Sequence, residues 1–345
     1  MSNTESPWGD GIFYIAEAGV NHSGSIDRAK KMIDTAEGAG ADAIKFQSFV
    51  AEESVRKEER KADYQEENTK TEESQYEMLK RYELSQEDHY ELLKYCEGKG
   101  IEFMTTVSSR ASLDLIQGMD IPILKIGSSD ITNHPLLSST ADLGKPMIVS
   151  TGMSYMQEVN DAFEVIRNQN AKVNLAFLHC VSDYPADNDT VNLKAIRTMG
   201  QNLPVQIGYS DHTMNPETPA IAVSSGATII EKHFTLDRSL EGPDQEASLE
   251  PAELKKSVSL SRLAYRMLGD GTKCPTEAES ENRRKVRRSI HASNKLESGD
   301  KITEDDIKIC RPNDGISPVD FDTVVGSTVT SSIDENNPIQ KYHLQ

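Results

Sequence analysis

The chain has 345 residues, of which 36% are hydrophobic and 27% are charged, and its formal net charge at pH 7 is −19. This length is sufficient for one large domain and one small domain. A phosphate backbone would repel so acidic a chain, which excludes general nucleic-acid binding but leaves room for an anionic ligand in one locally basic cleft.

Short β-rich segments alternate with segments of helical periodicity. The predicted strands are 12–19, 43–49, 101–107, 123–129, 146–152, 173–181, 204–211 and 228–235. The predicted helices are 25–40, 85–100, a segment from Ser109, 134–144, 156–169, 192–200, 216–226 and 250–268. This alternation predicts a parallel sheet, and eight such units in about 260 residues predict a closed (β/α)8 TIM barrel. A doubly wound open sheet is the alternative, but no Gly-rich nucleotide-binding turn follows the first strand.

The composition changes along the chain and predicts its domains. Residues 1–270 form the predicted barrel, residues 271–284 a polar linker, and residues 285–345 a small, mostly β domain. Residues 50–84 interrupt the β/α period with an almost entirely charged or polar segment. Such a segment is either a lid on the C-terminal face of the barrel or a solvated insertion.

The cysteines and the N-terminus predict the compartment. The four cysteines are widely spaced without a CxxC pair, which indicates neither a structural zinc site nor a disulfide framework. The N-terminal sequence MSNTESPWGDG lacks the basic start and apolar stretch of a signal peptide, and no run of 18 apolar residues predicts a membrane span. We therefore expect a cytoplasmic protein without a membrane partner.

Histidines lie at the predicted C-terminal ends of two neighbouring strands. His212 follows the seventh strand and His233 lies near the end of the eighth. Two imidazole ligands with open coordination positions suit a catalytic divalent metal that polarises a carbonyl group. His22, after the first strand, is a third ligand or a loop residue, whereas the apolar surroundings of His179 predict a hydrogen-bonded core residue.

Cations and small hydroxyl groups also lie at the predicted strand ends, where a barrel places its active site. They are Lys45, Thr106, Lys125, Ser128, Ser150 and Ser210. Such a ring can hold a phosphate group through charge-assisted hydrogen bonds. With the carboxylates of Glu17, Asp130 and Asp244, it indicates a metal-assisted enzyme that acts on a phosphorylated compound and a carbonyl substrate. Aldol addition, isomerisation and hydrolysis all remain open at this point.

Several motifs resemble the sialic acid synthase family, the phosphoenolpyruvate-dependent synthases of nonulosonic acids. They are IAEAGVNHSGSIDRAKKMIDTAEGAGADAIKFQSF, LKIGSSDITNHPLL, VSTGMS, LHCVSDYP, IGYSDHT and IEKHFTLDRSLEGPDQEASLEP. The C-terminal RRSIHASNKLESGDKITEDDIKICRPNDGISP resembles the antifreeze-like (SAF) domain of that family. The resemblance covers almost the whole chain, in order.

The resemblance implies a transferase of carbohydrate biosynthesis. In its reaction, C3 of phosphoenolpyruvate attacks the aldehyde of an open-chain N-acetylhexosamine, water adds at C2, and phosphate leaves by C–O cleavage. His212 and His233 would bind Mn²⁺ or Mg²⁺. The phosphoenolpyruvate ligands would be Lys45, Thr106, Lys125, Ser128, Ser150 and Ser210, with Ser182 nearby. The residues that contact the sugar or assist proton transfer would be Glu17, Gln47, Asp130, Tyr184 and Asp244. The resemblance also implies a domain-swapped homodimer in which Arg311 reaches the sugar bound by the partner chain.

Three positions depart from the family pattern and bear on the choice of sugar. Asp130 stands where many members carry Glu, Gln245 replaces the usual His of GPDH, and Ser182 replaces an Asn found in some members. The candidate sugars are N-acetylmannosamine and a 2,4-diacetamido-trideoxyhexose, which would give legionaminic or pseudaminic acid. An aldol synthase acting on a sugar phosphate and a non-catalytic sugar-binding protein are the further alternatives. The retained metal and phosphate residues argue against the binding protein.

Overall fold

The first of two compact units, Met1–Gly269, contains a closed barrel of eight parallel strands. The structure is a computed structural model that describes residues 7–61, 65–66, 69 and 73–345. The strands are β1 (Phe13–Gly19), β2 (Ala43–Ser48), β3 (Glu102–Val107), β4 (Ile123–Ile126), β5 (Met147–Ser150), β6 (Leu175–Cys180), β7 (Gln206–Asp211) and β8 (Ile229–His233). They pair in chain order, and β8 closes the barrel on β1. The predicted TIM-barrel fold is confirmed.

Helices follow the strands and form the outer part of the barrel unit. They are Ile26–Ala39, Ala51–Ser54, Gln75–Tyr82, Gln86–Lys99, Arg110–Leu115, His134–Asp142, Met156–Gln169, Lys194–Asn202, Thr218–Ser224 and Pro251–Leu268. Local sequence signals account for their ends. For example, Ser85 and Asp88 form a capping box that starts one helix, and Gly100 ends it in the left-handed conformation.

The inside of the barrel has an apolar layer beneath a polar layer. The apolar layer consists of Trp8, Phe13, Ile15, Ala43, Met104, Ile123, Ile148, Ala176, Leu178 and Ile229. Because strand side chains alternate, the residue two positions further along each strand faces the same interior. Those next interior residues include Glu17, Lys45, Thr106, Lys125, Ser150, Cys180 and Glu231. The alternation of strand residues therefore places a polar cluster directly above the apolar layer.

Gly208 lies inside the barrel, on β7, where there is no room for a side chain. A Cβ at this position would overlap the carbonyl oxygen of Ile229 and the side chain of Leu178. We expect Gly208→Ala to lower the free energy of unfolding by about 1–3 kcal/mol, because overpacking forces neighbouring strands apart. Urea denaturation measures this change.

Gly38 provides the matched control for that substitution. It lies within a helix, and a Cβ there would have nothing within 4 Å. Gly38→Ala should raise the stability by roughly 0.5–1 kcal/mol, because alanine is the better helix former. Equal effects of the two substitutions would contradict the crowding assigned to Gly208.

The second unit, Asp270–Gln345, has its own small core. An antiparallel pair of strands, β9 (Ser289–Ala292) and β10 (Ile307–Cys310), and isolated bridges surround it. Its buried residues are Ile290, Ala292, Leu296, Ile302, Ile307, Ile316, Val324, Val329, Ile333 and Ile339. Helix Glu277–Val286 precedes these strands and contains no buried residue. The helix overlaps residues 271–284, whose role as a linker stays a prediction.

Some expectations concern residues outside the described ranges. These are the first six residues of the N-terminus, where a signal peptide was not expected, and parts of the 50–84 insertion. Within the described residues, no helix has both the length and the apolar character needed to cross a membrane.

Candidate active site

The predicted site residues converge on one cavity of about 470 Å³ at the C-terminal ends of the strands. The structure places thirteen of them in its lining, namely Glu17, Lys45, Gln47, Thr106, Lys125, Ser128, Asp130, Ser150, Ser182, Tyr184, Ser210, His212 and His233. Asp244 lines a smaller neighbouring cavity. Arg311 is exposed and follows β10 in the second unit.

Two buried lysines dominate one half of the cavity. Lys45 Nζ donates to Thr106 Oγ1 over 2.7 Å, and Lys125 Nζ donates to Ser150 Oγ over 2.6 Å. Burial lowers the pKa of Lys125. Burial alone would also lower the pKa of Lys45, but nearby carboxylates outweigh it and the pKa is raised. Two desolvated ammonium groups beside hydroxyl donors are suited to an anion.

Glu231 also lines this half of the cavity, although its role was not assigned from the sequence. Its Oε2 lies 3.9 Å from Lys45 Nζ and 3.8 Å from Lys125 Nζ, and its Oε1 accepts a hydrogen bond from Ser210 over 3.0 Å. The alternation of strand residues could have identified it, because Glu231 lies two residues before His233 and therefore faces the same side of the strand. Glu231 thus joins the two lysines into one charged cluster.

The pKa values of Glu17 and Glu231 shift in opposite directions, although Lys45 lies near both carboxylates. Burial raises the pKa of Glu17 to about 7, against the opposing effect of Lys45 Nζ at 2.8 Å. Burial would also raise the pKa of Glu231, but Lys125 and Lys45 outweigh it and lower the pKa to about 2. Environments that separate two carboxylates in this way assign different roles to them, one as a proton carrier and one as a fixed anion.

The two candidate metal ligands face each other across the end of β7 and β8. The ring centroids of His212 and His233 lie 5.5 Å apart, and the Tyr184 ring lies 4.1 Å from that of His212. His212 Nδ1 donates to the carbonyl oxygen of Val181 over 2.6 Å, so the neutral ring has its lone pair on Nε2. Burial lowers the pKa of both histidines, which keeps them neutral as metal ligation requires.

This pair of histidines fits a divalent cation. His233 Nδ1 is buried without a hydrogen-bond partner among the described residues, which leaves a polar atom that a cation would satisfy. No cluster of three or more His, Cys, Asp or Glu ligands occurs in the described part of the chain. A metal held by only two protein ligands keeps several positions for water and substrate.

His22, considered above as a third ligand or a loop residue, does not line the cavity. Its Nδ1 accepts a hydrogen bond from the amide of Gly24 over 3.1 Å. Burial lowers its pKa to about 4, with further contributions from His89 and Arg28, and Asp88 opposes them. The structure therefore makes His22 a loop residue.

A pH dependence of stability follows from the low pKa of His22. Between about pH 6.5 and pH 4 the unfolded chain binds a proton at this residue and the folded chain does not, so stability falls as the pH falls. We expect His22→Asn, whose Oδ1 can still accept from Gly24, to reduce this loss by an amount on the order of 3 kcal/mol. Urea denaturation of both proteins across this range gives the comparison. Parallel curves would contradict the neutral state of His22.

Asp244 lies beside the end of the main cavity that Gln47, Tyr184 and His233 line. It lines a cavity of about 140 Å³ that shares Gln47, Tyr184 and His233 with the larger one. A Cβ on Gly19 would lie 3.4–3.5 Å from Glu17 Oε1, Asp244 Oδ2 and Gln47 Nε2, so these three polar groups converge there. Burial raises the pKa of Asp244 to about 6, against Lys45.

One wall of the smaller cavity is apolar. Val20, Met78, Leu79 and Tyr82 line it. Val20, Met78 and Tyr82 form a separate buried cluster with Phe49, and the partly buried Leu79 packs against it. Three of these side chains belong to helix Gln75–Tyr82, which lies in the charged 50–84 insertion. This part of the insertion therefore packs against the barrel and shapes the site.

Gln245 does not line either of these cavities. It is completely buried, where its Oε1 accepts from Thr235 Oγ1 and its Nε2 donates to the carbonyl of Asn21 over 3.1 Å. This departure from the family pattern therefore holds the loop that carries Asp244. A direct contact between Gln245 and a sugar has no support in the geometry.

Ser128 and Asp130 lie on a short turn after β4. Ser128 Oγ accepts from the amide of Gly152 over 2.9 Å and lies 3.1 Å from Cys180 Sγ. A Cβ on Gly152 would overlap Ser182 Oγ, so only glycine lets these groups approach. Burial raises the pKa of Asp130, against hydrogen bonds from Asn133 and Ser129. Cys180 lines the cavity and the amide of Gly152 holds Ser128, and neither residue was predicted from the sequence.

His179 does not line the main cavity. Its Nε2 donates to the carbonyl of Val191 over 2.8 Å, and its side chain is partly buried beside a second groove on the outside of β6. The predicted hydrogen bond is therefore present, although the burial is incomplete.

Known proteins and two family models resemble this chain over most of its length. The model of the NeuB family matches residues 32–273, and the model of the SAF domain matches residues 287–345. The chain is 42% identical to an N,N'-diacetyllegionaminic acid synthase of Legionella pneumophila, over 96% of this chain and 94% of that protein. It is 33% identical to the human N-acetylneuraminate-9-phosphate synthase, over 95% and 91%. A crystal structure of N-acetylneuraminic acid (sialic acid) synthetase from Leptospira borgpetersenii matches with a TM-score of 0.70 and 37% identity, covering 79% of this chain and 90% of that one.

Proposed function

The chain belongs to the NeuB family of sialic-acid-type synthases and carries a SAF domain, and on this premise we propose that it condenses phosphoenolpyruvate with an acetamido sugar. The product would be a nine-carbon nonulosonic acid, with release of inorganic phosphate. The observation that carries this proposal is the meeting of two buried lysines and two neutral histidines in one cavity. One pair suits an anion and the other suits a carbonyl-activating cation.

Phosphoenolpyruvate would bind in the lysine half of the cavity. Lys45 and Lys125 would neutralise its phosphate and carboxylate. The hydroxyls of Thr106, Ser128, Ser150 and Ser210 would donate hydrogen bonds, with Ser182 close by. Support comes from the low solvent exposure of both lysines, because charge-assisted hydrogen bonds are strong where water is excluded.

The aldehyde of the open-chain sugar would lie beside His212 and His233. These residues would hold Mn²⁺ or Mg²⁺, and the cation would polarise the aldehyde as a Lewis acid. The close contact of the tilted Tyr184 ring with His212 would keep the imidazole in place and exclude water from this side. C3 of phosphoenolpyruvate and C1 of the sugar would then lie between the lysine and histidine pairs.

Proton transfers accompany the bond changes. The new bond joins C3 of phosphoenolpyruvate to C1 of the sugar, and the former aldehyde oxygen takes up a proton. Water adds at C2 and loses one proton, which leaves a hydroxyl and the phosphate on C2. The C2–O bond to phosphate then breaks as the hydroxyl loses its proton, which the departing phosphate takes up, and C2 becomes a ketone. We assign these proton transfers to Glu17 and Asp244, whose pKa values burial raises to about 7 and about 6. Asp130 would contact the substrate from the β4 turn.

The sugar would be a 2,4-diacetamido-trideoxyhexose of the legionaminic type. The higher identity to the legionaminic acid synthase than to the 9-phosphate synthase supports this choice. So does the apolar wall of Val20, Met78 and Leu79, which would accept the methyl group at C6 better than a hydroxyl or phosphate. Gln47 and Tyr184 would bind its polar groups.

Mass spectrometry of the products tests this proposal. The protein is incubated with phosphoenolpyruvate, Mn²⁺ and one of four sugars: the legionaminic and pseudaminic diacetamido precursors, N-acetylmannosamine, and its 6-phosphate. We expect the nine-carbon product and phosphate release to be greatest with the legionaminic precursor, and chelation to abolish both. A clear preference for the 6-phosphate would refute the proposed sugar, and no product with any of them would refute the reaction.

We also propose a homodimer in which Arg311 completes the partner's site. Support comes from the resemblance of the CRPNDG segment to the family pattern. Mixing two inactive variants, Arg311→Ala and His233→Ala, tests it. Mixed dimers would contain one site with both native residues, so we expect activity to return to about a quarter of the wild-type level, and no return would argue that each chain supplies its own Arg311.

A further inference from the structure

A buried ion pair lies directly behind the two candidate metal ligands. Lys232 Nζ donates to Asp211 Oδ2 over 2.7 Å, and both side chains are completely shielded from solvent. Asp211 and Lys232 are register partners at the end of the β7–β8 ladder. Each of them is followed immediately by one of the histidines, His212 or His233. The pair thus joins the two strands at the point where the ligands begin.

The ion pair also fixes the chain beyond β7. Lys232 Nζ donates to the carbonyl oxygen of Thr213, and Asp211 Oδ1 accepts from the amide of Thr213 over 2.9 Å. The hydroxyl of Tyr209 donates to the same Asp211 oxygen over 3.2 Å. His212 is therefore held between two residues, Asp211 and Thr213, that bind one ammonium group.

Stability alone gives a poor reason for this pair. A buried ion pair loses about as much through desolvation as it gains through attraction, and apolar residues of similar volume often replace it without loss. The alternation of β8 directs Glu231 and His233 into the cavity and Lys232 to the outside of the barrel. A rigid link at this level fixes the distance between the backbones of both histidines.

We propose that Lys232 and Asp211 are positioning residues that set the separation of His212 and His233 for one divalent cation. This inference rests on the proposed function, because it assumes the two-histidine metal site. Neither residue of the pair lines the main cavity. The pair acts on metal affinity through the strand ends, as outer partners of metal ligands do at other sites.

Direct titration of Mn²⁺ without substrates, followed by electron paramagnetic resonance, tests the inference. The double variant Asp211→Asn/Lys232→Met removes both charges while Asn keeps acceptors for Tyr209 and Thr213. We expect its dissociation constant for Mn²⁺ to rise at least about tenfold, a change typical of lost outer-partner contacts. Saturating Mn²⁺ should restore most of kcat, because no reacting group has been removed.

A destabilised control separates positioning from general loss of stability. Leu92→Ala empties space in a fully buried position on helix Gln86–Lys99, and should lower Tm by about 5 °C or more without changing Mn²⁺ affinity. Lys232→Arg keeps the charge with a different shape and should weaken Mn²⁺ binding several-fold, which provides a second test if the double variant does not fold. Unchanged affinity in the folded variant, with normal binding by the wild type, would overturn this inference alone. A wild-type protein that binds no Mn²⁺ would overturn the metal site as well.

Discussion

Replacing His233 by alanine is expected to lower kcat/KM for the condensation by at least about a thousandfold, which corresponds to roughly 4 kcal/mol of lost transition-state stabilisation. The reason is that His233 provides one of only two imidazoles at the proposed cation site. Its Nδ1 is buried and has no hydrogen-bond partner in the described part of the chain, so the folded protein gives this nitrogen no other evident role. Phosphate release with saturating sugar and Mn²⁺ measures the effect.

The fold should survive this substitution. Burial and the neighbouring His212 and Lys45 lower the pKa of His233 well below its usual range, so no ion pair is lost with the neutral ring. The unfolding transition of His233→Ala should therefore stay within a few degrees of the wild type. Turnover that remains intact in a folded His233→Ala protein would show that the metal assignment is wrong.

His179 provides the matched histidine control. It also lies near the end of a strand, but its Nε2 donates to the carbonyl of Val191 and it does not line the main cavity. His179→Gln can keep that hydrogen bond and should change kcat/KM by less than about threefold, as expected of a substitution away from the reacting groups. The contrast between the two histidines tests the geometry of the site, since both substitutions remove one imidazole from a strand end.

The strand period accounts for most of what the sequence could predict. Lys45, Thr106, Lys125 and Ser150 each follow an apolar interior residue by two positions, so a parallel barrel brings them to one mouth whatever its finer details. Glu231 likewise follows the interior residue Ile229 by two positions. Its neighbour Lys232 is also charged, so the alternation of apolar and polar residues along β8 is not visible in the sequence. Where neighbouring strand residues are all charged, one residue known to face the interior is needed to tell which others face it. His233 is that residue in β8, and it places Glu231 inside.

Other features depended on contacts that no local pattern encodes. The partnership of Asp211 with Lys232 follows from the register of β7 against β8, which a sequence does not specify. Asp244 and Gln245 are adjacent, yet one lines a cavity and the other is completely buried, because the loop has no regular period. Helix Glu277–Val286 was not predicted from the sequence. Its start is marked by a capping box of Thr276 and Glu279, but it buries no face, so its sequence shows no apolar helical period.

The lysine half of the site gives the second large expected effect. Lys125→Met should lower kcat/KM for phosphoenolpyruvate by at least about a hundredfold, or roughly 3 kcal/mol. Methionine fills nearly the same space but cannot provide the charge that Lys125 Nζ places 2.6 Å from Ser150 Oγ. Burial lowers the pKa of Lys125, which means that the charged ammonium is destabilised in the pocket. A bound anionic substrate would offset this destabilisation. Initial rates at varied phosphoenolpyruvate and saturating sugar measure the change.

The same substitution disturbs Glu231, so its control must remove that carboxylate. In Lys125→Met, Glu231 retains only Lys45 as a cationic partner within 4 Å among the described residues, and we expect a loss of stability of about 1–3 kcal/mol from the less well compensated charge. Lys125→Met/Glu231→Gln removes both charges and should recover that stability while its activity stays low. This separates the folding effect from the binding effect, since Glu231→Gln removes the poorly compensated carboxylate without restoring the cation that the anion requires. A Lys125→Met protein with an unchanged kcat/KM for phosphoenolpyruvate would contradict the proposed phosphate site, because the anion would then require no cation from β4.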